Sequence, residues 1–212
     1  MGQHSGQRHS KESLKNDLTK AVYDHAWDRV LIALLRYADV SHHLPKGVGV
    51  EALHNAIRHK RLDVAETLVA LGVDINGTVI DFGSSFTPLS TAIAYYPDAV
   101  DFLLKAGAIV DVRRPSGQTP LFFAAGDGKT DIVKLLLDHG ADPNAIDKEG
   151  VTALHWGAKA KQLGAIKLLV QHGADPAIED NNGETAIDVA RSYNDRTSVA
   201  VMSKAARSQR SR

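Results

Sequence analysis

The sequence predicts an all-α fold, a solenoid of short helix–turn–helix units joined by β-hairpin-like loops. Thr119, Thr152 and Thr185 are separated by 33 residues, and each follows a glycine by two positions. A second landmark has the same period, because LLLDHGADPN at 135–144 recurs as LLVQHGADPA at 168–177. Two landmarks that share one period indicate an internal repeat, and periods between about 20 and 50 residues are typical of solenoids.

Length and composition agree with this fold. The 212 residues leave room for about five to six repeats, including degenerate caps. Hydrophobic residues make up 43% of the chain and aromatic residues only 6%, so the core is expected to be mainly Leu, Ile, Val and Ala. Lysine plus arginine equals aspartate plus glutamate, at 25 each, and therefore no global charge favours nucleic acid or an anionic membrane.

Three features of the sequence predict the cellular location of the protein. It contains no cysteine, which excludes disulfides and thiolate metal sites and favours a reducing compartment. The first ten residues are polar and lack the apolar centre of a signal peptide. No apolar run approaches the roughly 18 residues that a membrane-spanning helix needs. We therefore predict a cytoplasmic location and no membrane association.

Fainter copies of the repeat lie upstream. Thr87 starts a Thr-Pro-Leu segment 32 residues before Thr119, and Glu51 takes the place of threonine 36 residues before Thr87. About three extra residues are therefore expected in the loop 77–86. Residues 14–48 fit the same frame without a turn signature, as expected for the degenerate terminal repeat that caps a solenoid.

The repeated residues resemble the ankyrin repeat, whose pattern includes Thr-Pro-Leu-His-x-Ala in the first helix and Gly-Ala-Asp-x-Asn after the second. The resemblance covers about residues 14–203. It implies a β-turn followed by two antiparallel helices in each unit, and a curved array of stacked units. The expected division is a disordered tail at 1–13, one domain with repeats at 14–48, 49–80, 81–112, 113–145 and 146–178, a C-terminal cap at 179–203, and a basic tail at 204–212.

The repeated positions have physical reasons. Proline at 88 and 120 suits the first helical turn, where no amide partner is lost, and the repeated threonines suit N-caps. The glycines after the second helices and at the hairpin tips are expected to have positive φ; they are Gly140, Gly173, Gly117, Gly150 and Gly183. For His54 and His155 the resemblance implies an imidazole hydrogen-bonded to the backbone of the adjacent repeat.

Patterns typical of an active site are missing from the sequence. His139 and His172 suit helix C-termini, and the repeated aspartates suit turns, where they bond to local backbone. The sequence contains no HExxH pair, no phosphate-binding glycine loop and no Gly-x-Ser-x-Gly elbow. We therefore predict no enzymatic activity, no cofactor, no metal and no small-molecule substrate.

Partner-binding residues follow from the resemblance, which implies binding by the hairpin tips and the exposed part of each first helix. Carried over one repeat at a time, these positions are Arg58, Phe82, Phe86, Tyr95, Tyr96, Arg113, Arg114, Ser116, Gln118, Asp127, Lys148, Glu149, Trp156, Lys159, Lys161, Asn182 and Tyr193. The aromatic members are expected to form an anchor with a basic flank, which predicts a partner with an acidic patch. Alternatively, Trp156 packs between repeats. Arg114 replaces the aspartate of the family, so a differently shaped tip is expected there.

Two further segments leave alternatives open. The loop 77–86 is either a finger that exposes two phenylalanines to a partner or a tolerated surface insertion. The basic segment 204–212 is either a disordered, solubilising end or a contact for nucleic acid.

The predicted function is binding of a partner protein by a chain that is a monomer alone. The narrower possibilities are an inhibitor, an immunity protein or an adaptor. The alternative function is binding of nucleic acid or another acidic surface through a basic groove and the C-terminal tail.

Overall fold

The computed structural model describes residues 16–17, 20–21, 24, 26–30, 32–33, 48–81 and 84–210. The chain divides into two compact units, residues 1–99 and 100–212. The predicted tail at 1–13, most of the predicted first repeat and Phe82 lie outside the described residues. The single domain expected over 14–203 stays a prediction.

The first unit contains three helices and a hairpin among the residues described from 48 onward. Helix α1 spans Val48–Arg58, and α2 spans Leu62–Ala70. The strands β1 (Val79–Asp81) and β2 (Ser84–Phe86) pair antiparallel, with Val79 opposite Phe86. Helix α3 (Pro88–Tyr95) follows, and a 3₁₀ turn at Pro97–Ala99 ends the unit. The extra residues of the loop 77–86 thus form a short β-hairpin.

The second unit continues with helix pairs. Its helices are α4 (Val100–Lys105), α5 (Pro120–Gly126), α6 (Thr130–Asp138), α7 (Ala153–Lys159), α8 (Leu163–Gln171), α9 (Ala186–Ser192) and α10 (Arg196–Arg210). The odd-numbered helices α5, α7 and α9 pack against each other in sequence, and α6, α8 and α10 form the next layer. The described helices confirm the predicted all-α, helix–turn–helix repeat fold.

The first helices begin as predicted, with one exception. Pro88 and Pro120 occupy the first turn of α3 and α5. Thr152 caps α7 through a reciprocal capping box with His155, and Thr185 caps α9 in the same way with Asp188. Thr119 makes no cap bond, and its buried hydroxyl has no hydrogen-bond partner within the part of the chain that the structure describes. The backbone N–H of Phe122, which such a cap bond would use, donates instead to Thr119 O at 3.1 Å.

The turns between paired helices require a residue in the left-handed backbone conformation, with positive φ. The predicted positive φ is confirmed at the glycines that follow the second helices, for example 86° at Gly140 and 92° at Gly173. Gly128 has φ 68° between α5 and α6, whereas Lys60, Lys161 and Asn194 adopt the same conformation, with φ between 56° and 57°, without being glycine. A side chain in this region costs about 1–2 kcal/mol.

The core of each unit consists of small and branched aliphatic side chains. The buried residues of α5 and α7 include Ala124, Ala125 and Leu154, and the alanines among them let neighbouring helices approach closely. The second helices bury larger groups such as Leu136 and Ile166. Phe122 is the largest fully buried side chain of the described residues. The scarcity of aromatic residues therefore reflects helix packing at short distances.

The C-terminal helix extends beyond the predicted boundary. Helix α10 runs from Arg196 to Arg210, so residues 204–210 are helical and not the disordered, solubilising end that was one of the two alternatives expected for 204–212. Ala205 and Ala206 are strong helix formers, and the basic residues near the helix end interact favourably with its dipole.

Candidate protein-binding surface

The three hairpin tips of the second unit have the same backbone geometry. At each tip the backbone N–H of one residue donates to the carbonyl oxygen four positions on, over N–O distances of 2.9–3.0 Å. The three bonds run from Arg114 to Gln118, from Asp147 to Val151 and from Asp180 to Glu184. The glycine of each tip has φ between 74° and 93°. The expectation that Arg114 changes the shape of its tip is therefore wrong, because this tip keeps the same backbone bond and glycine conformation without an aspartate.

Adjacent tips are bonded directly to each other. The backbone N–H of Lys148 donates to Ser116 O at 3.0 Å, and that of Asn181 donates to Glu149 O at 2.9 Å. The Asn181 side-chain amide also donates to Lys148 O, at 3.1 Å. These bonds fix the spacing of three consecutive tips, so side chains on different repeats are held in register before any partner binds.

The two aspartates of these tips fold the loops that carry them. Asp147 Oδ1 accepts the backbone N–H groups of Glu149 and Val151 at 2.9 and 3.0 Å. Asp180 Oδ1 accepts those of Asn182 and Glu184, both at 2.9 Å. The bond from Glu184, together with the other N–H donors, holds the pKa of Asp180 below its usual range. The Asp180 carboxylate therefore remains ionised in mildly acidic solution.

Two of the basic residues expected to form a flank, Arg113 and Arg114, have partners within the protein. One guanidinium nitrogen of Arg113 donates to Gly117 O at 2.9 Å and to Ile146 O at 2.7 Å, and so joins two tips. The Arg114 guanidinium lies 4.0 Å from the centre of the Phe123 ring, and burial lowers its pKa. Both guanidinium groups have intramolecular partners, which leaves them less available to bind another molecule.

A cleft lies beside these tips in the second unit. Its volume is about 620 Å³. The lining residues come from the ends of α5, α7 and α9 and from three tips; they are Gln118, Gly126, Asp127, Asp147, Glu149, Val151, His155, Trp156, Lys159, Ala160, Asp180, Glu184, Val189, Ser192 and Tyr193. A surface built from three consecutive repeats is large enough to accept several side chains of a partner.

The cleft is acidic. Five of its lining residues are carboxylates, namely Asp127, Asp147, Glu149, Asp180 and Glu184, and among the described lining residues Lys159 is the one lysine or arginine. Asp127 is paired with Lys129 at 3.0 Å. Glu149 and Glu184 are exposed, and the described structure gives their carboxylates no ion pair or hydrogen bond. The charge is opposite to the predicted basic groove, and it disfavours phosphate groups.

Two aromatic side chains line the same cleft. Trp156 is half-buried, and its ring meets Phe123 edge-on with centroids 5.8 Å apart and Phe122 at 6.5 Å. The alternative that Trp156 packs between repeats is therefore confirmed, although part of its surface faces the cleft. Tyr193, at the end of α9, is 41% exposed. Rigid aromatic surfaces of this kind contribute strongly to protein interfaces.

His155 forms the floor of the cleft and has a structural role. Its side chain is 4% exposed. Its Nδ1 accepts the backbone N–H of Thr152 at 3.2 Å, so Nε2 carries the proton and donates to Glu184 O of the next repeat at 3.1 Å. His54 is held similarly, with Nε2 donating to Gly77 O at 3.2 Å and Nδ1 bonded to Thr91 Oγ1 at 2.8 Å. The predicted bond to the backbone of the adjacent repeat is confirmed for His155. His54 instead bonds backbone within its own expected repeat, 49–80, and reaches the next repeat through the Thr91 side chain.

The first unit has a separate, smaller cleft. It has a volume of about 460 Å³ and is lined by residues of α1 and the β-hairpin, including His54, Arg58 and Ile80. The Arg58 guanidinium lies 5.5 Å from the centre of the Tyr95 ring. Ile80 is 83% exposed, whereas Phe86 is half-buried. Phe86 was expected to be exposed to a partner, but the strongly exposed side chain of the described hairpin is Ile80.

The predicted site residues are only partly brought together. Those that line the cleft of the second unit are Gln118, Asp127, Glu149, Trp156, Lys159 and Tyr193. The others of that unit lie outside its lining; they are Arg113, Arg114, Ser116, Lys148, Lys161 and Asn182. In the first unit Arg58 lines the smaller cleft, while Phe86, Tyr95 and Tyr96 do not.

Sequence reasoning missed several lining residues. His155 was expected to have a purely structural role, and Asp147, Asp180 and Val189 were not among the predicted residues. The two aspartates could have been predicted from their spacing, because each lies three residues before a tip glycine and therefore belongs to the tip. Whether a residue lines the cleft depends on how neighbouring repeats stack. The sequence of a single repeat does not contain that information.

Comparison with known families decides the identity of the fold. A model for three copies of ankyrin repeats matches residues 89–180, and a single ankyrin repeat model matches residues 48–77. Together the matches cover more than half of the chain. The chain belongs to the ankyrin repeat family. Ankyrin repeats generally mediate protein–protein interactions.

Two curated ankyrin repeat relatives match about half of the chain. The nuclear factor NF-kappa-B p105 subunit of Gallus gallus is 33% identical over 107 residues, which is 50% of this chain and 11% of that protein. The corresponding subunit of Mus musculus is 35% identical over 111 residues, or 51% of this chain and 11% of that protein. The chain therefore matches only about a tenth of the length of these relatives.

The described residues show neither of two other kinds of site. No helix among them is long and apolar enough to cross a bilayer. Across the same residues, no group of three or more His, Cys, Asp or Glu side chains is arranged to hold a metal ion.

Proposed function

We propose that this chain is a non-enzymatic ankyrin repeat module that binds a partner protein in the cleft of its second unit and on the adjoining hairpin tips. The cleft carries the proposal, because three consecutive repeats contribute its walls and hydrogen bonds between tips fix their spacing. A preformed surface loses little conformational freedom on binding, which favours affinity. The half-buried Trp156 and the exposed Tyr193 supply aromatic contact area.

A photo-crosslinking experiment tests this function. A benzophenone amino acid replaces Lys159, which is exposed and lines the cleft, and in a matched variant it replaces Lys167, which is exposed on α8. Irradiation in cells of the source organism followed by mass spectrometry identifies the crosslinked proteins. We expect a partner that is crosslinked from position 159 and not from 167. The same proteins from both positions, or a partner found only from 167, would contradict the proposal.

The narrower roles of inhibitor, immunity protein and adaptor stay predictions, as do the monomeric state and the cytoplasmic location. An inhibitor or immunity protein should abolish the activity of the captured partner, whereas an adaptor should bind a second protein without blocking the first. Sedimentation of the purified chain and imaging of a fluorescent fusion test the other two predictions.

The structure does not support the predicted acidic patch on the partner. The acidic partner surface was predicted from a basic flank, two of whose members have partners within the protein. Arg113 contacts backbone carbonyls at 2.7 and 2.9 Å, and Arg114 lies 4.0 Å from the centre of an aromatic ring. The described cleft has carboxylate walls and provides no support for binding of nucleic acid or another acidic surface.

A further inference from the structure

The exposed carboxylates of the cleft have no intramolecular function that the structure reveals. Asp147 and Asp180 fold their own tips, and Asp127 is paired with Lys129. Glu149 and Glu184 differ, because only their backbone groups take part in the tips. Their side chains are exposed on neighbouring repeats and line the same cleft.

We propose that the cleft binds an extended, basic segment of the partner protein, with a lysine or arginine side chain placed between the tip carboxylates and the aromatic surfaces of Trp156 and Tyr193. This proposal rests on the proposed function and specifies the chemistry of the partner. Charge complementarity carries it, since the described lining contains one lysine and five carboxylates, of which only Asp127 has an ion pair, with Lys129. A cation is attracted to carboxylates and to aromatic ring faces alike, so both parts of the lining favour the same side chain.

The geometry of the tips favours an extended segment. The tips are bonded in a row, Ser116 to Lys148 and Glu149 to Asn181, so the carboxylates repeat along one direction. An extended chain can present side chains along such a row, whereas a compact basic surface would reach fewer of them. Lys159 lies in the same lining and is expected to oppose binding of a cation.

A peptide selection on the full chain tests the proposal. A phage-displayed library of random dodecapeptides is selected on the wild-type protein and on the double variant Glu149→Gln and Glu184→Gln. Both changes keep the side-chain shape and break no bond that the structure shows. The matched control is Glu66→Gln with Glu179→Gln, which makes the same change in net charge at exposed glutamates outside the cleft lining.

We expect the wild-type protein to enrich peptides with several lysines or arginines and to deplete acidic ones. A selected peptide should bind the cleft double variant about three- to tenfold more weakly, bind the control double variant within about twofold of wild type, and bind Lys159→Gln about twofold more tightly. Affinity is measured by the fluorescence of Trp156 in a Trp27→Phe background, because the sequence contains 2 tryptophans. Binding should weaken as salt rises.

Other results overturn the proposal. Enrichment of acidic or purely apolar peptides, no enrichment, or equal losses in the two double variants would show that the cleft does not select a cationic segment. The proposed function fails separately. If position 159 still crosslinks a partner while basic peptides are not selected, the chain binds protein in the cleft and only the chemistry assigned to the partner is wrong.

Discussion

Protonation of His54 should make the stability of this protein depend on pH. The imidazole is 2% exposed, and burial, opposed by its bond to Gly77 O and assisted by the charge of Arg58, lowers the His54 pKa from 6.5 to about 4. The unfolded chain therefore binds a proton that the native state excludes over this range. Stability from this group is complete above about pH 6.5 and is lost as the pH falls toward 4.

The expected loss can be worked out from these two pKa values. Between pH 7 and pH 5, His54 alone should lower the free energy of unfolding by about 2 kcal/mol. The assay is urea unfolding followed by circular dichroism at both pH values, for the wild type and for His54→Gln. The variant is less stable at pH 7, but it should lose about 2 kcal/mol less than the wild type on acidification.

An NMR titration supplies the control that does not depend on unfolding. The His54 ring resonances should shift with a midpoint well below 6 in the native protein. A midpoint near 6.5, or equal losses of stability in the two proteins between pH 7 and pH 5, would refute the reasoning that the buried, doubly bonded imidazole stays neutral.

Three further predictions concern the stability of the second unit, each measured by urea unfolding at pH 7. Thr119→Val should leave stability unchanged or raise it by up to about 1 kcal/mol, because it removes a buried hydroxyl that has no hydrogen-bond partner among the described residues. Thr152→Val should cost about 1–2 kcal/mol by breaking a capping box, so equal effects at the two threonines would contradict the account. Lys161→Gly should stabilise the protein by about 1 kcal/mol because it relieves a φ of 56°, whereas Lys167→Gly, at the centre of α8, should destabilise it by about as much. Arg113→Ala should cost about 1 kcal/mol, since it removes bonds to two carbonyls on different tips; no loss would mean that these bonds do not form in solution.

The repeat fold could be predicted from the sequence because its rules act over a few residues. A threonine cap, a proline in the first turn and a glycine with positive φ each need only their immediate neighbours, and Gly140 and Thr152 behave as expected. The exception is Thr119, which precedes a proline as Thr87 does but makes no cap bond. The end of α10 was misplaced because its basic residues were interpreted as a solubilising tail.

The candidate site was harder to predict because it depends on contacts one repeat apart. Arg113 looks like a free cation in the sequence, yet it bonds Ile146 O, 33 residues away. Arg114 looks like a tip residue, yet its guanidinium lies on Phe123. Counting charges along the chain therefore gave a basic groove, whereas stacking of the tips produces an acidic cleft.

Hydrogen exchange of the complex tests the central claim most directly. Once crosslinking has identified the partner, amide exchange is compared for the free and bound full-length chain. The account predicts slower exchange in the tips at 147–151 and 180–184 and around Trp156 and Tyr193, with no change in α6 and α8. Protection confined to α6, α8 or α10, with both tips unaffected, would contradict the proposal that the cleft of the second unit is the binding surface.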